Sequence, residues 1–398
     1  MADDPELSVR WQNIPDSAAP RGLTEWSIET DYFTSTDSFS LRYYDPEPSR
    51  LQGLELEPVE LVLGDSQQLL GRVDVSVNHG DGTIELQGRD YIADMVECNV
   101  DPTFAINKDE LLGDSVKNAA KTVGIKAVVA DADLQMRNIR TGVAAGSPSP
   151  KTFNALRLSE YKPEPGQGIY DFLNKICSRH GCTMQPGSSR NTIVLGAPNY
   201  DQKPSAALFR SRDANVSIVS GVATRDYSSF PTFALFVGKG VGKGGSTDDI
   251  RASVPIAEYI SGGASGSEMR AIVNERSVAG RVLPKDGRDA DGQLYRLLYF
   301  KDEKAKNQAQ IDRATYRAIG ERMKESLVYE VTVQGHFDRT TGAIWTVDTV
   351  CDVNDELCGV AEPLWIKGRR LRLVAEQQGG RTTSMTMIRP HSILLEVA

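Results

Sequence analysis

The sequence is poor in the residues that carry most enzyme chemistry. It has four histidines (His79, His180, His336 and His391) and five cysteines in 398 residues. None of the histidines has an evident nucleophile partner, and there is no Gly-x-Ser-x-Gly elbow. The cysteines, Cys98, Cys177, Cys182, Cys351 and Cys358, are odd in number and lack disulfide-framework spacing, which predicts reduced, mostly buried thiols. No apolar run approaches the roughly 18 residues of a membrane-spanning helix. The acidic start, Met1-Ala2-Asp3-Asp4-Pro5-Glu6, lacks the apolar stretch of a secretory signal, so synthesis is expected to end in the cytosol. Cations are also in deficit: 45 Lys and Arg against 54 Asp and Glu give a formal charge of -9. That balance argues against a protein whose main task is gripping a phosphate backbone, although it permits a surface past which DNA slides without sticking.

What is present is a soluble globular composition, with 40% hydrophobic and 25% charged residues. The length predicts two to four domains. Leu327 to Ala398 reads at period two: Tyr329, Val331 and Val333, then Ile344 to Val353, Leu364 to Val374 and Thr383 to Arg389. The turns between them, Asp338 to Gly342, Asn354 to Glu356 and Gly379-Gly380, hold residues that tolerate φ > 0, so the stretch predicts an antiparallel meander. The same grammar occurs earlier, from Val59 to Leu63, through Leu69 to Val77 and the Asn78 to Gly82 turn, to Thr83 to Leu86 and Gly88-Arg89-Asp90. Two copies of one β-module are therefore expected, with material inserted between them.

Along the chain, Ser8 to Trp11, Glu25 to Glu29 and Ser38 to Tyr44 are strands, and Tyr91 to Cys98 reads as a turn leading to a strand. Asn107 to Val123 is a predicted helix stopped by Gly124, and Ile125 to Val129 is β-prone. Arg137 to Leu156 reads as a loop. Gly168 to His180 is a second helix, with Ile169, Phe172, Leu173, Ile176 and Cys177 on one stripe, followed by a hairpin. Val216 to Val222 and Phe233 to Val237 would begin the second module, Gly238 to Ser267 would be a loop, and Asp302 would cap a helix running to about Glu325. The expected class is mainly β with an α+β insert. Its division is a first barrel-like module over 1–104, the insert over 105–205, and a second barrel-like module over 206–398 with a loop-rich insertion at 238–300 and the helix at 302–325.

Candidate sites weaken on inspection. Gly238 to Thr247 is rich in glycine, but Gly242-Lys243 lacks the P-loop spacing, and Gly240, Gly242 and Gly245 open no amphipathic helix, so a loop is the better reading. Cys177, His180 and Cys182 lie close together, yet no second pair stands at ligand spacing and Cys177 is on an apolar stripe, which points to core thiols. Asp289 and Asp291 resemble half a calcium loop, with Leu298 and Gly287 where ligands should stand. Asp352, Asp355 and Glu356 read as solvated turn acids and not as a hydrolase pair. No catalytic, cofactor or metal residues are assigned.

The order of these pieces resembles the central hub protein of contractile-tail baseplates, the Mu-like and late-control-D-like tail proteins, related to the hub part of type VI secretion spikes. The resemblance rests on Gln87-Gly88-Arg89-Asp90 with Asp94 and Val96, Pro165-Gly166-Gln167 before Phe172-Leu173, and Arg225-Asp226-Tyr227-Ser228 before Phe233 to Gly238. It continues with Asp312-Arg313-Ala314, Gly335, Trp345, and Gly379 to Thr383 leading to Arg389-Pro390. The chain departs from the pattern in the Gly-rich stretch and at Arg137 to Leu156. The resemblance implies a non-enzymatic homotrimer in the virion. Two tube-like modules per chain would form a pseudo-six-fold ring between the tail tube and a three-fold central spike, with DNA in transit through the lumen. It implies spike, tube or tube-initiator partners, and wedge and tape-measure proteins around them. A tail-associated peptidoglycan hydrolase and a receptor- or glycan-binding tail protein are the competing readings. The first lacks an acid and nucleophile set. The second would need displayed aromatics, whereas Trp11, Trp26, Trp345 and Trp365 sit in strand-like runs.

Overall fold

Alternation at period two builds the first half of the chain. The strands are β1 (Leu7–Trp11), β2 (Leu23–Asp31), β3 (Ser38–Tyr44), β4 (Pro58–Leu63), β5 (Ser66–Asn78) and β6 (Thr83–Asp90). Every second side chain of β2, β3 and β6 turns inward, so that Trp26, Ile28, Phe39, Leu41, Tyr43, Ile84 and Leu86 share one core with Val59, Leu61, Leu69 and Val73. The strands lie side by side in the order β1-β4-β5-β6-β3-β2, each pair antiparallel. Gly88 is required where this sheet folds tightly, because a Cβ there would stand 2.0 Å from the Arg72 carbonyl oxygen and 2.4 Å from the Phe39 ring. The computed structural model describes residues 6–45, 47, 52–130, 157–180, 182–200, 202–211, 217–226, 233–239, 249–255, 297–302, 326–374 and 380–390.

The insert follows with α1 (Ala93–Glu97), α2 (Leu112–Ala119), β7 (Ala127–Ala130), α3 (Ile169–Arg179), β8 (Thr183–Pro186) and β9 (Thr192–Gly196). The apolar stripe of α3 is buried at Ile169, Phe172, Leu173, Ile176 and Cys177, and its sheet runs β7-β9-β8. Two local expectations need correction. The helix expected from Asn107 starts only at Leu112, since Asp109 adopts φ +68° and breaks the helical path. Tyr91 to Cys98 holds the one-turn helix α1 and no strand; the Asp90 carboxylate accepts the Ile92 N–H at 2.9 Å and turns the chain just before it. Gln185 Nε2 donates to the Tyr32 carbonyl at 2.9 Å, fixing the insert against the end of β2.

The remaining strands are β10 (Ala206–Arg210), β11 (Ile218–Thr224), β12 (Phe233–Lys239), β13 (Asp249–Pro255), β14 (Leu297–Asp302), β15 (Val328–Gln334), β16 (Val350–Asp355), β17 (Val360–Leu373) and β18 (Arg381–Ile388). Six of them form a path β10-β16-β17-β18-β15-β11. This is the spatial order of β1 to β6 over again, with each strand taken in its chain position. The correspondence extends to irregularities: β5 bulges against β6 between Val73 and Val75, and β17 bulges against β18 between Ile366 and Gly368. One difference stands out, in that β10 runs parallel to β16 whereas β1 is antiparallel to β4. The two paths join into one twelve-stranded sheet because β2 pairs antiparallel with the second half of β17, from Gly368↔Asp31 to Leu373↔Trp26. Leu371 of β17 thereby enters the core of the first path.

The chain divides into two units, one of Met1–Gln135, Lys151–Ala223 and Tyr329–Pro390, the other of Met136–Pro150, Thr224–Val328 and His391–Ala398. The first holds both strand paths and the insert. In the second, β12 pairs antiparallel with β13 and parallel with β14. Phe233 to Val237 therefore belongs to a separate sheet and does not begin the second module. The expected loop over Gly238 to Ser267 contains β13, whose Ile250, Ala252 and Val254 alternate with Arg251 and Ser253. Asp302 ends a strand, and the helix expected after it lies outside the described residues, as does the loop expected at Arg137 to Leu156. Ile344 to Val353 is not one strand: β16 begins at Val350, after Asp348 has taken φ +61°.

Candidate assembly surface

One face of the large sheet covers the core, and the other is mainly polar across both strand paths, with Val75 and Val222 exposed among its polar side chains. In register, Glu29 stands opposite Arg370 on the β2–β17 seam, Arg42 opposite Glu85 and Ser40 opposite Gln87, and Arg370 opposite Ser384. Thr332 and Ser384 share a hydroxyl hydrogen bond of 3.0 Å on the same face. Short hydroxyl and amide side chains separate charges of both signs, so no strip of one sign crosses this face. Two open hollows lie on this face, one lined by Glu29, Thr332, Arg370 and Ser384 and the other by Glu29, Ser40, Gln87 and Arg89.

Three ionic clusters fix the framework behind that face. In the first, Arg210 of β10 grips Asp355 of β16 with Nε to Oδ1 at 2.9 Å and Nη2 to Oδ2 at 2.6 Å. The Tyr329 hydroxyl donates to Asp355 Oδ2 at 2.6 Å, and the Leu357 and Cys358 N–H groups donate to Oδ1. Burial alone would raise the Asp355 carboxyl, but the bonds from Arg210 and Tyr329 outweigh it and hold the group below the ordinary carboxylate range. Burial and the bond to Asp355 push the Tyr329 phenol up.

The second cluster is centred on Arg369, buried on β17. It donates to the Trp345 carbonyl and, at 2.8 Å, to Gln68 Oε1 of β5, so it links the two strand paths. Close to it the Asp37 carboxyl is pushed up to about 8 by burial and by the neighbouring Asp90, with Arg369 opposing. Burial raises Asp90 to about 6 against the backbone N–H groups that bind it. The third cluster ties α1 to the β5 bulge: Asp74 accepts from Arg72 at 3.1 Å and Arg89 at 2.7 Å, while Arg72 also pairs with Asp94 and both arginines with Glu97. Arg89, Asp90 and Asp94, singled out in the sequence as a motif, are thus structural partners of one another's elements.

The sequence candidates fall as follows. Cys177 and Cys182 are buried, with the Cys182 thiol 3.5 Å from the Cys177 carbonyl oxygen. Among the described residues there is no group of three or more His, Cys, Asp or Glu placed to hold a metal. The Gly240 to Thr247 stretch and Asp289 with Asp291 lie outside the described residues. Glu356 is exposed in the turn, Asp352 is exposed on strand β16 in register with Pro363 and not in a turn, and Asp355 is fully buried and ion-paired. The local pattern alone predicts a solvated turn acid there, because the cation that pairs with Asp355 lies 145 residues away in the sequence. Among the described residues, no helix is long and apolar enough to cross a membrane.

Comparison with solved structures decides the fold. A tail protein from Neisseria meningitidis MC58 aligns over 97% of this chain and 98% of its own, with a TM-score of 0.69 and 19% identity. This chain has the phage tail-protein fold. The 43 kDa tail protein of prophage MuSo2 from Shewanella oneidensis shares it at a TM-score of 0.68 and 17% identity, over 98% of this chain and 99% of that one. An E. coli component of the type VI secretion system, described as similar in structure to the T4 bacteriophage tail proteins gp27 and gp5, aligns over 98% of this chain and 79% of its own at a TM-score of 0.50 and 8% identity. No protein-family model and no curated protein matches the sequence. The tail-protein fold accounts for both strand paths and the insert, so the expected class, mainly β with an α+β insert, is the observed one.

Proposed function

We propose that this protein is the structural baseplate hub of a phage tail and acts without catalysis. Three copies, each supplying two tube-like modules, form a pseudo-six-fold ring that joins a six-fold tail tube to a three-fold central spike. The observation that carries this reading is the repeated strand order on one chain. Two alike modules per chain turn three-fold symmetry into six comparable surfaces, which is what a symmetry adapter between tube and spike requires. The polar sheet face supports a lumen wall, because mixed charges and hydroxyls let DNA pass without the many cationic contacts that would hold its phosphates. The protein is made in the host cytoplasm and incorporated into the virion. Its partners on this reading are the spike and the tube or tube-initiator proteins, with wedge and tape-measure proteins at the periphery, in a contractile tail.

The test is the mass and symmetry of the purified protein, alone and mixed with candidate tube and spike proteins, by native mass measurement and electron microscopy. A three-copy ring with six similar lobes is expected. Monomers in every mixture, or a ring of another copy number, would overturn it. A turbidity assay on isolated cell walls addresses the hydrolase alternative, and no clearing is expected.

A further inference from the structure

We infer that the outer edge of β11 in one copy pairs antiparallel with the end of β5, Val75–Asn78, in the next copy, repeating between chains the contact that β2 and β17 make within one. The inference rests on the reading that copies of this chain form a ring, and it names the strands that close it.

The argument starts from the correspondence of the two paths. By spatial order β2 is the counterpart of β11 and β17 the counterpart of β5. The matched bulges set the alignment along the long strands, Val73 with Ile366 and Val75 with Gly368. On β17, the residues past the bulge, Gly368 to Leu373, are covered by β2. On β5, the strand β4 ends its pairing at Arg72, and past the bulge no described strand lies on that side. The partner that covers this position in the second path is β2, and the counterpart of β2 is β11, which pairs with β15 on one side and with no other described strand. The Cys358 thiol reaches the Gly221 carbonyl at 3.2 Å and the Ser217 N–H, just before β11, donates to the Phe209 carbonyl of β10 at 3.0 Å, which are single contacts and not a paired strand. Each chain thus carries one completed contact and the two unlike halves of another.

The side chains at both edges fit that reading. Val75 and Val77 are 46% and 41% exposed, and Val219 and Val222 are 59% and 58% exposed. Such edges, with exposed apolar side chains along a strand that no described strand covers, are templates for another chain. Because the halves differ, the contact is head-to-tail and extends until it closes on itself, and three copies close it if the ring has six modules.

Two variants test this. Val75→Lys with Val77→Lys blunts the β5 end, and Val219→Lys with Val222→Lys blunts the β11 edge, with native mass measurement as the readout and thermal melting as the check on folding. Wild type is expected to be trimeric and each variant monomeric with an unchanged melting curve. An equimolar mixture of the two is expected to give a one-to-one dimer and nothing larger, because one intact β11 edge and one intact β5 end remain. A trimer that persists in either variant, or a mixture that stays monomeric, overturns the strand pairing and leaves the hub reading standing. A monomeric wild type, alone and with tube and spike partners, overturns both. Where a double variant fails to fold, Val77→Lys or Val222→Lys alone is read by the same outcomes.

Discussion

Arg210 and Asp355 face each other across β10 and β16 in a two-pronged ion pair at 2.9 and 2.6 Å, and this pair joins the parallel contact that distinguishes the second strand path from the first. Antiparallel β1 and β4 carry only a looser, exposed pair, Arg10 to Glu60 at 3.5 Å, beside the half-buried side chains of Leu7, Val9 and Trp11. A parallel strand brought in from a distant segment needs its register set by something specific, and a planar guanidinium on a carboxylate supplies that geometry.

Asp355→Ala is therefore expected to be strongly destabilising, by about 3–5 kcal/mol, since it strands a mostly buried guanidinium and the Tyr329 hydroxyl. Urea unfolding measures it. Arg210→Met combined with Asp355→Leu should recover most of the loss, because replacing a buried pair with apolar groups removes the unpaired charge. An Asp355→Ala protein as stable as wild type would show that the pair contributes nothing. The pH dependence follows from the direction of the shift. A carboxyl held below its unfolded value, about 3.9, contributes stability that is present above that value and is lost as pH falls towards the folded one.

Asp37 gives the opposite sign. Its carboxyl stays protonated in the folded protein up to about 8, whereas in the unfolded chain it ionises near 3.9. The folded state binds the extra proton between these values, so the contribution of Asp37 is fully present below about 4 and declines as pH rises towards 8. Asp37→Asn removes that proton from the balance. Urea midpoints recorded from pH 5 to pH 8.5 are expected to fall for wild type and to fall less steeply for Asp37→Asn. Equal slopes would mean that Asp37 ionises normally in the folded state.

Most of the strands were readable because a half-covered sheet imposes strict alternation, and Ser38 to Tyr44 needed no more than that. The partners were less readable. Nothing local in Leu364 to Val374 says that its second half pairs with β2, since one register of that strand serves both β18 and β2. Asp355 misled for the same reason, as a turn acid and a buried one look alike until Arg210 is brought in. At Tyr91 to Cys98 the chain turns where the Asp90 carboxylate accepts the Ile92 N–H, and a one-turn helix follows where the sequence predicts a strand. At Asp249–Pro255 the flanking glycines hid a strand with its own alternation.

Trp365 is the side chain on which the insert and the second path meet. Its ring lies 5.3 Å from Tyr32, 5.1 Å from Tyr200 and 5.8 Å from Phe33, and its Nε1 donates to Asp348 Oδ1 at 2.9 Å. Trp365→Ala is expected to cost about 3–5 kcal/mol. Trp365→Phe keeps the ring packing and loses the hydrogen bond, for a smaller cost of about 1–3 kcal/mol. Trp345, also buried, is expected to match the larger figure when truncated to Ala. Thermal unfolding of the three variants ranks them, and Trp365→Phe as damaging as Trp365→Ala would place the weight on Asp348 and not on the aromatic cluster.

The polar sheet face offers a test of lumen function that does not depend on breaking the fold. Ser40 and Ser384 lie on it in the two strand paths, opposite Gln87 and Arg370, and Ser384 is exposed. Replacing both with Lys leaves the core untouched, so the melting temperature is expected to stay within a few degrees, as for surface changes of about 0.5 kcal/mol. If the face lines a DNA passage, each added Lys supplies a phosphate contact and releases counterions, so affinity for a short linear duplex rises above that of wild type and falls steeply with added salt. The measurement is duplex binding by the assembled protein across a salt series. A doubly substituted assembly that binds duplex no better than wild type at low salt would mean that this face does not meet DNA, and the lumen would then have to be sought on another surface of the ring.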